Sequence, residues 1–520
     1  MSIPPKQRRE LTQRYVEIIH QLGQLPIAGR PLRNHLHVNG VDYWAASTLR
    51  ESSPWGSPVF ARLDQLRGVR TAQEDERESG AADARHTNMR TMLYWLVNFA
   101  YSVIRRPRRI RGDVMFVVFL PESPLPVSDH EIARRYYGQL IDHVVSMGLQ
   151  PVVVFLPTNS RPAAMSRGER GTWRTMRNTL GSVPITSYMA STSARQAWKN
   201  WRSLQRSAPS ARKVMNAVAG DSTLRALWPM CAGDYTNSVW GTASARTALL
   251  AAAFKNLLHH ADDVQLVVYP FEGQGWESLL ESACAEKGVN SIGYLHTIMK
   301  PWDMRAHTAL REVPPRTLAL HGTYDREELE VGDTQTEFVE ALRYAYLGEA
   351  SSHQHRSTNT GEHQLLIVMG SDCANSQQQY VALRQAIART SKQWRVVVKP
   401  HPQCAFVDDG NFSTHITTGS LQEALSQSDA VFLCGTAAPL DSYLFGLPTA
   451  ALSDASGYSM NPLEPNEAYF VGESVDAVVE WLVAVIGRPP KRPDAAYFFD
   501  LAPSCAKWEA VIRKHLRPTS

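Results

Sequence analysis

Three short stretches of this sequence put reactive side chains where an apolar strand gives way to a turn. In WRVVVKPHPQ (394–403) a strand from Arg395 to Val398 runs into Lys399, Pro400, His401 and Pro402. Each proline lacks an N–H donor and fixes its own φ, so strand pairing stops and a cation and an imidazole are held on a stiff corner. In CGTAAPLDSYLFGLP (434–448) Gly435 lets a ligand approach the backbone, and Thr436 is placed to cap the helix that follows. Such a helix start offers free amides and the positive end of a dipole, which is the chemistry of an anion site. Asp441, further along that helix, has the chemistry to accept a ribose hydroxyl.

The third stretch is YPFEGQGWESLL (269–280), where Glu272 directly follows an apolar strand and Gly273 and Gly275 make a turn. A carboxylate there faces a cleft rather than a core and can take a proton from a hydroxyl nucleophile. Glu277 falls in the first turn of the next helix, where the dipole favours it, and reads as a stabilising residue. GYLHTIMKPWDMR (293–305) ends another strand on His296, with Lys300 and Arg305 in the loop beyond. His296 has two readings, a donor in the cleft or a satisfied polar residue at a sheet edge. Each feature alone has a structural explanation. The pairing of a His/Lys corner with a phosphate-type helix start in one sheet carries the functional reading.

Strand ends can be brought together in this way by parallel sheets, and the pattern predicts two of them. DVMFVVFLP (113–121), an amphipathic helix around 130–147 and QPVVVFLP (150–157) form a βαβ unit. Residues 159–260 read as helical, after which VQLVVYPF (264–271), SIGYLH (291–296) and TLALHG (317–322) resume the alternation. A polar linker, 350–364, separates this half from LLIVMGS (365–371), RVVVKPH, AVFLCG (430–435) and PTAAL (448–452), each followed by a helix or turn. The expected organisation is a helical N-terminal region (1–112), a first Rossmann-like domain with a helical insertion (113–349), the linker, a second Rossmann-like domain (365–495) and a C-terminal helix (496–520). That helix, AKWEAVIRKHLRP, is expected to pack back across the cleft.

At 520 residues the chain is too long for a single core. Its net charge of +4 argues against nucleic acid as a partner. Six scattered cysteines without a Cys-x-x-Cys pair fit a reducing compartment and argue against structural zinc. The opening MSIPPKQRRELTQRY has no apolar stretch of signal-peptide type, and no run approaches bilayer length, so a cytoplasmic location is expected. One segment raises a membrane question: MLYWLVNFAYSVI (92–104) is followed by RRPRRIR (105–111), and an aromatic helix with a basic flank can lie on an anionic leaflet. Peripheral contact with the inner membrane through 92–111 is one expectation; a buried helix with solvated arginines is the other. No Walker loop or GxGxxG fingerprint is present, which disfavours an ATPase or a dinucleotide oxidoreductase.

The second half resembles the donor domain of a GT-B glycosyltransferase. Within that class, the His-Pro corner followed by a glycine/hydroxyl helix start is similar to bacterial sialyltransferases, polysialyltransferases and Kdo transferases. The stretch FEGQGWE…GYLHT, with DYWAASTLRESSPW (42–55), further resembles bacterial surface-carbohydrate proteins of capsule and O-antigen (lipopolysaccharide) biosynthesis. Together these cover most of the chain through short motifs. The resemblance implies a GT-B-like fold, two Rossmann-like domains facing a cleft with an extra helical N-terminal region. It implies that Lys399, His401, Pro402, Gly435 and Thr436 meet the phosphate of a CMP-sugar, with Asp441 nearby. Sialyltransferases carry two acids before the glycine of their acidic motif, whereas Phe271-Glu272-Gly273 has one. Glu51 is therefore the alternative base to Glu272, since Kdo transferases carry theirs near the N-terminus.

The expected reaction is transfer of a sialic- or Kdo-type ulosonic acid from a CMP-sugar to a hydroxyl of a glycan or lipid-linked glycan. No Asp-x-Asp motif stands at a strand end, so neither a metal nor a cofactor is expected, and the nucleotide-sugar is a substrate. Two other classes stay open: a CDP-alditol phosphotransferase of teichoic-acid type, and a non-catalytic scaffold that binds nucleotide or glycan. A sugar-nucleotide epimerase of the same architecture would leave the N-terminal region without a role.

Overall fold

The computed structural model describes residues 5–47, 50, 91–93, 95–96, 99–100, 109–120, 134–157, 183–188, 191–299, 304–329, 331–349, 362–370, 373–391, 393–401, 406–407, 414–434, 439–453, 463, 465–486 and 494–516. The N-terminal region opens with a helix, Pro5–Gln24. Two minimal hairpins follow, β1 (Pro26–Ile27) with β2 (Arg30–Pro31), and β3 (His37–Val38) with β4 (Val41–Asp42).

The first sheet contains β5 (Val114–Leu120), β6 (Pro151–Pro157), β7 (Val183–Pro184), β8 (Leu266–Pro270), β9 (Asn290–Tyr294), β10 (Thr317–Leu320) and β11 (Gln335–Phe338). All are parallel, in the order β11-β10-β9-β8-β5-β6-β7. The chain starts in the middle, builds outward on one side through β6 and β7, then returns to build the other side from β8. The two directions part between β5 and β8. In a doubly wound sheet that switch point opens a crevice at the carboxyl ends of the strands, where ligands bind.

The second sheet repeats the plan. It comprises β12 (Glu362–Met369), β13 (Gln393–Lys399), β14 (Thr414–Ile416), β15 (Ala430–Cys434), β16 (Thr449–Leu452) and β17 (Tyr469–Gly472), parallel in the order β14-β13-β12-β15-β16-β17. Its switch point lies between β12 and β15. Both units are thus Rossmann-like, and the composition of β5, β8, β12 and β15 explains why: most residues are apolar, as burial on both faces requires, with Glu362, His363 and Gln364 confined to the start of β12.

One face of the first sheet carries Met115, Val117, Val154 and Val267 into a core shared with the helices Ser191–Ser207, Ser222–Trp240 and Thr242–His259. The other face, with Phe116, Val118, Phe155 and Val268, packs against the helix Leu140–Ser146 and the C-terminal helix Ala506–His515 through Trp508, Val511 and Ile512. The last helix therefore packs on a face of the first sheet, where the sequence expectation had it crossing the cleft. Buried Glu340 caps its start, accepting the backbone N–H of Lys507 at 2.7 Å and of Trp508 at 3.0 Å.

Four strands escape the sequence pattern, namely β7, β11, β14 and β17. All are short and lie at or beside the outer rims of the sheets, where few apolar positions are needed. Cys231, Cys284, Cys434 and Cys505 are free and buried, whereas Cys373 is disulfide-bonded. No helix among the described residues is long and apolar enough to cross a membrane.

Candidate functional site

Strand β8 sits at the switch point of the first sheet and ends at Pro270. Phe271 still bonds the strand β9, its N–H reaching Tyr294 O at 2.7 Å, and Glu272 is the first residue beyond. The chain then reverses at Gly273, whose φ of +72° belongs to the left-handed region. A Cβ there would stand 2.4 Å from the backbone carbonyl of Arg305, so glycine is required for space as well as for conformation.

The turn is held by two buried side chains, Glu277 and Arg50. Glu277, in the first turn of the helix Gly275–Lys287, accepts the N–H of Glu272 at 2.9 Å through Oε1 and that of Gly273 at 3.0 Å through Oε2. Burial, and the charge of Glu272, push its carboxyl well above the usual range, while the backbone N–H groups of Glu272 and Gln274 and the charge of Arg50 pull it back. The expected stabilising role of Glu277 thus takes the form of a clamp on the preceding turn. Arg50 grips the same turn from outside, donating to Gly273 O at 3.0 Å, to Arg305 O at 3.4 Å and to Ala45 O at 2.5 Å.

With its backbone fixed, the Glu272 side chain meets two groups. Its Oε1 lies 3.3 Å from His296 Nε2. Its Oε2 accepts from Gln274 Nε2 at 2.6 Å, and Gln274 Oε1 in turn accepts from Trp276 Nε1 at 2.9 Å. His296 follows β9 as Glu272 follows β8, which is how residues distant in sequence become neighbours across one strand spacing. The imidazole is buried, and its ring centroid is 5.2 Å from that of Tyr136. Burial and the negative charge of Glu272 push the Tyr136 hydroxyl up to about 12, so it stays protonated and able to donate. The Glu272 side chain keeps 28% of its exposure, whereas His296 keeps 4%. A carboxylate oriented by an imidazole and an amide, open on one side, is suited to accept a proton.

The candidate residues of the second unit are seen in part. Lys399 ends β13, and its ammonium donates to Gly419 O, which engages one of its three donors. His401 is half-buried one residue past the strand's flank, and burial pushes its pKa down. At the β12/β15 switch point, Gly370 N–H donates to Cys434 O at 2.8 Å, and Ser376 Oγ donates to the same carbonyl at 3.0 Å. Pro402, Gly435 and Thr436 lie outside the described residues, as do Lys300 and Glu51. Asp441 does not stand free at a helix start: it accepts the hydroxyl of Tyr346, a residue of the helix Ala345–Glu349 that precedes the second unit. This bond crosses the seam between the two halves.

Arg50, the chain neighbour of Glu51, reaches the Glu272 turn directly. Arg50, Gln274 and Tyr136 were not legible as site residues; Arg50 stood inside a motif without a pattern of its own, and Tyr136 lies on an ordinary amphipathic segment. The cavity lined by Arg9, Arg311, Arg316 and Gln335, about 910 Å³, is at the amino ends of β10 and β11 and so belongs to the opposite side of the sheet.

No protein-family model matches the chain, and the comparison with curated proteins found no match. Among solved structures, the chain is similar to a putative UDP-N-acetylglucosamine 2-epimerase from Listeria monocytogenes, with 8% identity over 80% of this chain and 98% of that one, at a TM-score of 0.44. It is also similar to the UDP-GlcNAc 2-epimerase from Methanocaldococcus jannaschii, with 8% identity over 78% of this chain and all of that one, at a TM-score of 0.42. A glycosyltransferase from Rickettsia africae gives 8% identity, 79% coverage of this chain and a TM-score of 0.41. Similarity at this level carries no functional weight. The GT-B-like architecture rests on the chain's own topology, two Rossmann-ordered sheets and a C-terminal helix that returns to the first.

Proposed function

We propose that this protein is a glycosyltransferase that moves a sugar from a nucleotide donor to a hydroxyl of a glycan acceptor. The observation that carries this reading is the Glu272–His296 pair, 3.3 Å apart at the switch point of the first sheet. It is a polarised, partly open carboxylate in a chain whose second sheet has the strand order of a nucleotide-binding unit.

In this reading Glu272 takes the acceptor proton as the anomeric carbon becomes oxocarbenium-like, with Glu51 as the alternative base. His296 and Gln274 orient Glu272. Negative charge then builds on the departing nucleotide phosphate. Lys399, His401 and the segment after β15, with Pro402, Gly435 and Thr436, are the proposed groups that receive it, and no metal is invoked. Preorganised donors aimed at developing charge supply about 3 kcal/mol each in comparable sites. Asp441, tied to Tyr346, is assigned to the seam beside the donor rather than to a ribose hydroxyl.

The finer proposal is a CMP-linked ulosonic acid as donor and a bacterial surface glycan, free or lipid-linked, as acceptor, on the motif resemblance. Contact with the inner leaflet is part of it. Trp95 is buried against Trp198 and Trp201, while Met92, Leu93 and Leu96 of the same segment are exposed. That leaves an apolar outer face on this segment, and Arg109 and Arg111 are exposed further along the chain.

The test is incubation with CMP-, UDP- and GDP-sugars, with and without glycan acceptors, and mass analysis of the products. A glycosylated acceptor, absent with Glu272→Gln, supports the proposal. Alditol phosphate on the acceptor would replace it with phosphotransfer. An epimerised donor without acceptor would replace it with epimerisation, and tight nucleotide binding without turnover would leave a scaffold.

A further inference from the structure

The carboxyl ends of β8, β9 and β10 are followed by Glu272, His296 and His321, and the row continues past β11 to Arg343. Arg343 has no part in the mechanism above. It occupies the short 3₁₀ turn Leu342–Tyr344. The residue is exposed to solvent. Among the described residues no carboxylate stands within 4.0 Å of its guanidinium.

What surrounds it is mostly aromatic. The guanidinium carbon lies 5.8 Å from the centroid of the Tyr344 ring, which steadies the side chain. Tyr344 is in turn stacked on Phe499 at 4.1 Å and meets the His321 ring at 5.8 Å. Close by in sequence, Tyr346 makes its bond to Asp441 of the second unit, so Arg343 stands at the seam. Asp441 is an acid within electrical reach, but it accepts from Tyr346 rather than from Arg343. On the other side, Tyr136 lies within electrical reach of both Glu272 and Arg343.

Surrounding protein disfavours the cation, but Tyr344, Asp441 and Tyr294 outweigh that and hold the guanidinium charged. No ion pair among the described residues engages its planar fork of donors, which stands open to solvent over the Tyr344 ring. An anion that arrives with the substrate can be received there.

We infer that Arg343 receives an oxyanion of the substrate at the seam between the two units, either a donor phosphate or a carboxylate on the transferred sugar. The inference deepens the proposed function and rests on it for the identity of the substrate. Guanidinium suits this role because it pairs with carboxylate or phosphate through two parallel N–H···O bonds.

The experiment is calorimetric titration of wild type, Arg343→Ala and Arg343→Lys at low ionic strength with two probes, pyrophosphate and N-acetylneuraminate, and in parallel with CMP, UDP and GDP. Melting temperatures confirm that the variants fold, and Arg343→Gln replaces any that does not. The expected result is that one probe binds wild type, weakens about tenfold or more in Arg343→Ala, and is only partly restored by lysine. Pyrophosphate in that role assigns the donor phosphate, and N-acetylneuraminate assigns the sugar carboxylate. Equal binding of both probes to wild type and Arg343→Ala, or no binding of either to wild type, overturns the inference. The donor assignment fails separately: if an anion binds through Arg343 while no nucleotide binds wild type, Arg343 stands and the nucleotide reading falls. If a nucleotide binds but both anions ignore the substitution, the reverse holds.

Discussion

Oε1 of Glu272 and Nε2 of His296 lie 3.3 Å apart, each just beyond the carboxyl end of an adjacent parallel strand. Neither residue packs the core in a way that would explain both, since the carboxylate remains partly open to solvent. Glu272→Gln is expected to lower turnover by about 10² to 10⁴, the range for loss of a general base, with nucleotide binding and melting temperature nearly unchanged. His296→Gln is expected to cost less, because it removes orientation and not the base. Initial rates alongside nucleotide titrations check both. Full activity in Glu272→Gln would transfer the role to Glu51.

The clamp on the Glu272 turn predicts a stability effect. Glu277→Ala leaves the amides of Glu272 and Gly273 without acceptors, at a cost of about 1–3 kcal/mol. Gly273→Ala meets both a positive φ and the Arg305 backbone, and is expected to destabilise by at least about 1 kcal/mol. Urea unfolding measures both. A midpoint unchanged in either variant would show that the turn is not held this way.

His321 and Asp325 predict an unusual pH dependence. Burial lowers the His321 pKa from 6.5 to about 3 and raises that of Asp325 from 3.8 to about 7. A depressed histidine contributes stability above pH 6.5 that is lost as pH falls toward 3. A raised aspartate contributes stability below pH 3.8 that is lost as pH rises through 7. Between about pH 4 and 6.5 the two slopes oppose each other. Wild type should therefore be nearly flat there, from this pair. Asp325→Asn should lose stability on acidification from pH 6.5 to 4, and His321→Gln should gain it. Parallel slopes in both variants would contradict the assignment.

Trp508 ties the C-terminal helix to the first unit, fully buried and donating from Nε1 to Glu340 O at 3.1 Å. Trp508→Ala is expected to cost about 3–5 kcal/mol, as for other large aromatic truncations. The loss should appear in the unfolding of the first unit although the residue lies after the second in sequence. Hydrogen exchange on β5 and β8 reads this directly.

The apolar outer face of the Met92–Leu96 segment predicts membrane contact without a stability effect. Met92→Ser with Leu93→Ser and Leu96→Ser is expected to leave the melting temperature within about 1–2 °C, since exposed positions contribute little. Co-sedimentation with phosphatidylglycerol-containing vesicles should fall. Unchanged sedimentation would return this face to the buried-helix reading of the sequence.

The residue pattern alone determined the two α/β halves, the central strands and the positions of Glu272, His296, Lys399, His401 and Asp441 at or near strand ends. Long apolar runs closed by glycine, proline or a charged residue are dictated by burial on two faces and abrupt exit from the sheet, so they are written locally. The rim strands β11, β14 and β17 are not, because an edge position demands little of its side chains. What only the tertiary structure decided is which strand ends become neighbours. The pairing of Glu272 with His296, the grip of Arg50 on Gly273 from more than two hundred residues away, the engagement of Asp441 by Tyr346, and the isolation of Arg343 all depend on strand order and on the seam between units. Strand order is set by how whole sheets bury their faces, a sum over many residues that no local spacing records.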